Sequence, residues 1–229
     1  MEPSTTQHTN SRYEHDLTAL RAALLTMGDL VRTQIADAIS CFLAGDAVAA
    51  DLITARDAEV NRLDIEIDEQ CVRMLALNAP AGIDLRLIMA SLKITTDLER
   101  IGDQAATICK RLVAAEDRAL LNVDTELERM AEIARSMVKE SLEAIERNDS
   151  PLAKRVIARD DEVDRLHHQV LTQVLNSMVE TPGGIGQGTR MVFVSRSLEQ
   201  IADHATNIAE SVVFMVEGRD IRHRDRATR

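Results

Sequence analysis

The sequence predicts an all-α protein made of two tandem, internally duplicated three-helix bundles, six long helices in all. Three observations carry that prediction. Apolar residues recur at spacings of three, four and seven along most of the chain, the period of a helix with one buried face. Aromatic residues make up only 2% of the 229, and nine glycines and four prolines supply little turn chemistry for a many-stranded fold. Finally, two strings recur in order. RDAEVNRL begins at Arg56 and RDDEVDRL at Arg159, 103 positions later, while LERIGD begins at Leu98 and LEQIAD at Leu198, 100 positions later. That period is too long for a solenoid unit, so the chain reads as a duplicated domain whose second copy has one connection shorter by three residues.

In the first copy, Leu17, Leu20, Leu24, Val31, Ile35 and Phe42 stripe one helix from Tyr13 to Ala44. Gly45 ends it and Asp46 can cap the next. That second helix carries Val60, Leu63, Ile67, Cys71 and Leu75, until the Asn78 to Gly82 segment, with Pro80 inside it, breaks it. The third, from about Ile83 to Ala115, carries Ile94, Leu98, Ile101, Ala105, Ile108 and Leu112. In the second copy, Leu127, Met130, Ile133, Met137 and Ile145 stripe a helix from Asp124 to Arg147. Ser150 followed by Pro151 signals the next start, with Ser150 as the cap. Val156, Val163, Leu166, Val170 and Val174 continue that face, and the glycine-rich stretch from Pro182 to Gly188 turns the chain. The last helix carries Val194, Leu198, Ile201, Ala205, Ile208, Val212 and Met215. The expected bundles span 13–117 and 122–218, with a boundary between Glu116 and Asp124 and flexible tails at 1–12 and 219–229.

Composition narrows the function classes. A net charge of −11 with no Trp, one Tyr and three Phe argues against a nucleic-acid partner, which needs cations and stacking groups. Cys41, Cys71 and Cys109 are single and widely spaced, so neither a disulfide framework nor a cysteine zinc site is expected, and they read as small core residues in a reducing compartment. The polar N-terminal stretch has no apolar signal core, and no apolar run has the length of a membrane span, so the chain is expected to be cytoplasmic. GGIGQG lacks the GK[ST] ending of a phosphate loop and follows no strand, and reads as a helix connection.

The chemistry sits in carboxylates. On a helical wheel Glu99 and Asp103 fall about 140–180° from the apolar stripe of their helix, and Glu199 and Asp203 repeat the pattern. On the preceding helices Asp160 and Asp164 are also four apart, whereas the partner of Asp57 is Asn61. Pairs of carboxylates on neighbouring helices suit hard or borderline cations. A ferritin-like di-iron site would need an inward Glu-x-x-His on each of two helices, and no such pair occurs. His167, His168 and His204 read as surface or helix-contact residues, and no nucleophile and base stand out.

At DAEVNRLDIEID, DLRLIMASLKITTDLERIGDQA, RDDEVDRLH, RSLEQIADHATNIAE and VEGRDIRH the chain resembles the PhoU family over about residues 13–223. That resemblance implies a six-helix protein, commonly a homodimer, that regulates phosphate homeostasis. It implies an adaptor linking the phosphate ABC transporter, through its ATPase subunit, to a sensor histidine kinase, repressing the starvation response and restraining uptake. It further implies a non-catalytic protein in peripheral contact with membrane complexes. The resemblance also implies iron or zinc clusters, with magnesium or manganese as alternatives. One site would be held by Asp57, Glu99 and Asp103, the other by Asp160, Asp164, Glu199 and Asp203. A metal-dependent helical-bundle enzyme using the same carboxylates is the alternative. Asn61 carries no charge, so the second copy is expected to bind metal more tightly.

Overall fold

The computed structural model describes residues 6–44, 48–113 and 124–221, all helical apart from short connections. The elements run α1 (Thr6–Ala44), α2 (Val48–Asn78), α3 (Gly82–Val113), α4 (Asp124–Arg147), α5 (Ser150–Ile157), α6 (Asp160–Glu180) and α7 (Ile185–Glu217), with a 3₁₀ turn at Pro182–Gly184 before the last. No helix among the described residues is long and apolar enough to cross a membrane. The expected boundary at Glu116 to Asp124 lies, up to residue 123, outside the described residues, as do Gly45, Asp46 and much of both tails.

Helices α1, α2 and α3 pack on one another, and α4 to α7 form a second group. The groups join most extensively through α3 against α7, with a second seam where α1 meets α4. One continuous apolar core results, running from Leu20, Leu24 and Ile35 through Leu98 and Ile101 to Leu198, Ile201 and Val212. Because α3 and α7 are each packed on several sides, their buried arcs are wider than the stripe read from sequence. Ser91, Thr95, Ala106, Ser195, Ala202 and Ser211 are buried beside the large apolar side chains.

Two local expectations need correcting. The fifth long helix of the sequence reading is a pair, since Ala158 and Arg159 form a turn between α5 and α6. And the cap of α5 is Asp149, not Ser150: its carboxylate accepts a hydrogen bond from the Leu152 amide at 2.8 Å. Asn148 just before it takes φ +50°, and the amides of Asn148 and Asp149 bond the carbonyls of Ile145 and Ala144 at 3.3 and 2.9 Å. That crossed pair closes α4, so one short Asn-Asp turn both ends α4 and starts α5, and Ser150 is already helical. Its hydroxyl instead bonds Glu217 at the end of α7.

Two candidate metal centres

The carboxylates lie where α2 runs beside α3 and where α6 runs beside α7. In the first copy Asp57, Asn61 and Asp64 follow one another at helical spacing on α2, opposite Glu99 and Asp103 on α3. In the second copy Asp160 and Asp164 on α6 lie against Glu199 and Asp203 on α7, with His167 one turn beyond Asp164. All seven residues singled out from sequence therefore fall into two clusters, one per copy.

Each cluster is held in place by a repeated ion pair that sequence reasoning missed. Arg159 bonds Glu140 of α4 at 2.6 Å and Ser136 at 3.1 Å. Arg56, its counterpart, bonds Asp37 of α1, the counterpart of Glu140 at the same 103-residue offset. The first letter of RDAEV and RDDEV thus ties each carboxylate-bearing helix to its neighbour. The signal was available as a matching acid 19 positions upstream in both copies.

The wheel put Glu99 and Glu199 on the far face, yet the Glu199 side chain is only 13% exposed and that of Glu99 27%. The wide buried arcs of α3 and α7 explain this, because α2 and α6 lean over the flank that the narrow stripe left to solvent. Burial has an electrostatic consequence. Desolvation, reinforced by the charge of Asp103, raises the carboxyls of Asp57 and Glu99 above their usual range. Asp160 is pushed up to about 6, by burial first and then by Asp203 and Asp164. Glu199 is raised by burial and then by Asp203. Arg196 at 2.5 Å from Glu199, and Arg100 at 3.5 Å from Glu99, offset this only in part.

Two oxygens in these clusters, Oδ1 of Asp57 and Oε2 of Glu199, are buried without a hydrogen-bond partner among the described residues. Clustered, partly desolvated carboxylates of this kind are favourable donors to a hard or borderline cation. The donors run along two facing helices rather than closing on one point: among the described residues no three His, Cys, Asp or Glu side chains form a ready-made metal site.

Asp64 was also missed. Its charge raises Glu99, so it belongs with the first cluster and stands near the place where Asn61 lacks a charge. The spacing Asp57, Asn61, Asp64, Asp68 was the available signal. In the second copy His167 stands at the position of Asp64. Its Nδ1 is 2.7 Å from Ser195 Oγ, whose hydroxyl points to Met130 Sδ at 3.5 Å. Nδ1 is thereby engaged with the Ser195 hydroxyl, and Nε2 is the ring nitrogen this bond leaves over. This serine and histidine are close enough for a nucleophile and base, but Ser195 is fully buried and out of a substrate's reach. His204 is a helix contact, with Nδ1 2.9 Å from Asp97 of α3.

The PhoU domain family matches residues 24–112 and 127–212, one match in each copy. The chain is 37% identical over 221 residues to the phosphate-specific transport system accessory protein PhoU homolog of Pseudomonas putida, covering 96% of this chain and 86% of the relative. It is 33% identical to the homolog of Clostridium acetobutylicum over 93% of this chain and 98% of that one. Among solved structures, PhoU from Pseudomonas aeruginosa superposes with a TM-score of 0.88 at 36% identity, covering 90% of this chain and all of that one. The phosphate transport system regulatory protein PhoU from Streptococcus pneumoniae gives 0.86 at 26% identity, covering 91% and 99%.

Proposed function

Because this chain belongs to the PhoU family, we propose that it is a phosphate-transport accessory protein, a non-catalytic cytoplasmic adaptor between the phosphate ABC transporter and a sensor histidine kinase. In phosphate-replete cells it restrains uptake and represses starvation genes. The observation that carries this reading is end-to-end similarity to relatives named as accessory proteins of that transport system.

The bundle's own features are compatible with a contact role. The surface is acidic and suits docking on basic patches of the ATPase subunit and the kinase. The carboxylate clusters would each hold metal, the first through Asp57, Glu99, Asp103 and Asp64, the second through Asp160, Asp164, Glu199 and Asp203. Bound cations would neutralise the like charges that now crowd each pair of helices. Among these metals, iron or zinc suits the second cluster best, since His167 offers a nitrogen beside its carboxylates.

The test is co-purification of the full chain with the transporter's ATPase subunit and the kinase from cells grown in high and low phosphate. Recovery of either component, changing with phosphate, supports the adaptor reading, and recovery of neither under both conditions removes it. The enzyme alternative draws only on the clustered carboxylates. Turnover of a phosphoester that is lost in Glu199→Ala/Asp203→Ala would revive it.

A further inference from the structure

We propose that Gln34 of α1 is a donor to the first carboxylate cluster, completing it from the buried side with a neutral oxygen, so that this site selects a hard divalent cation of the Mn²⁺ or Mg²⁺ class. This rests on the reading of the clusters as metal sites and goes beyond it by adding a residue from a third helix and a metal preference.

Gln34 is completely buried in α1, on the face that also buries Val31, Ile35 and Ala38. Among the described residues neither its amide oxygen nor its amide nitrogen has a hydrogen-bond partner. A buried amide left unpaired is costly and calls for a partner. Its oxygen points at the first cluster. A Cβ on Gly102 would sit 3.1 Å from Gln34 Oε1 and 3.6 Å from Asp57 Oδ1, so both oxygens border one spot on α3. Gly102 stands between Glu99 and Asp103 in the sequence, and both of those carboxylates couple electrostatically with Asp57. Asp57 Oδ1 is itself one of the two partnerless cluster oxygens. Two acceptors bordering one space, flanked by two further carboxylates, form a setting that a cation satisfies.

The second copy is built differently at each of these positions. Met137 stands where Gln34 does, Ala202 where Gly102 does, and Thr206 where Ala106 does. There the hydroxyl of Thr206 donates to Asp160 Oδ1 at 3.3 Å. The inner carboxylate oxygen of the second copy therefore has a protein donor, and that of the first has an amide across an opening kept by a glycine. Amide and carboxylate oxygens together make an all-oxygen donor set, which favours Mn²⁺, Mg²⁺ or Ca²⁺ over softer metals. The loss of charge at Asn61 is thus answered by added oxygens from Gln34 and Asp64.

The test uses the full chain, stripped of metal, in a Glu199→Ala/Asp203→Ala background that silences the second cluster. Mn²⁺ alone is titrated and bound ion is read by electron paramagnetic resonance. Gln34→Met, which copies the second half of the molecule, is expected to weaken Mn²⁺ binding by about tenfold or more without lowering the melting temperature of the metal-free protein. Gln34→Glu keeps an oxygen and should retain binding. Gly102→Ala, whose methyl intrudes on Gln34 Oε1, should weaken it even if Gln34→Met folds poorly. Unchanged Mn²⁺ affinity in Gln34→Met or, should that variant not fold, in Gly102→Ala, beside a loss in Asp57→Ala, overturns the role of Gln34 and leaves the metal reading standing. Mn²⁺ binding indifferent to Asp57→Ala overturns both.

Discussion

Asp160 carries the largest carboxyl shift of either cluster, and its sign fixes how the metal-free protein responds to pH. Its folded value, near 6, lies above the ordinary 3.8, so between those limits the folded state keeps a proton that the unfolded chain has lost. Stability is therefore fullest below about pH 4 as far as this group is concerned, falls as pH rises through the window, and levels off above about 6. Asp57, Glu99 and Glu199 are shifted in the same direction and add to the fall. Asp160→Asn should raise the stability of the chelator-treated protein at pH 7.5 by about 1 kcal/mol, after allowance for solvent screening at a part-exposed group. It should also flatten the melting-temperature profile between pH 4 and 7. A variant less stable than the parent at pH 7.5 would mean that the carboxylate is satisfied without metal. At this scale the seven carboxylates were legible because duplication repeats them. Gln34 was not, because one polar residue in an apolar stripe reads the same whether it faces solvent, core or a site. Only the neighbouring Gly102 and the unpaired amide distinguish these, and both are properties of three dimensions.

At the scale of the helix, the seam between α1 and α4 depends on a close approach at Gly28. A Cβ there would fall 2.3 Å from a terminal methyl carbon of Leu142. Gly28→Ala gains about 1 kcal/mol of helix propensity, but forcing Leu142 off its position costs about 1–3 kcal/mol, so a net loss near 1 kcal/mol is predicted. In a double-mutant cycle read by urea denaturation, Leu142→Ala should offset the Gly28→Ala loss, because the added methyl then enters the space left by the leucine. Additive losses would show that the two helices adjust without contact between these residues. Helix periodicity found the long elements because their apolar faces are continuous. It missed the turn at Ala158 and Arg159, where neither Gly nor Pro interrupts the pattern and both residues keep near-helical angles. The turn goes with Arg159 reaching α4 to pair with Glu140, a tertiary contact that no local signal announces.

For the whole molecule, duplication has produced two clusters that share a plan and differ in donors. The outline of that plan was legible, since each copy retains its Arg-Asp and Glu-x-x-x-Asp strings in order. The joining of the two halves through α3 and α7 was not, because it uses buried small residues and the pair of Asp97 with His204, which has no counterpart within a single copy. The central claim is that this bundle reports phosphate sufficiency by contact with the transport and sensing machinery. Deleting its gene and measuring a phosphate-starvation promoter in phosphate-replete cells tests that claim most directly. The account predicts a promoter switched on in high phosphate and returned to repression when the intact gene is restored. A promoter that stays repressed without the protein would contradict it.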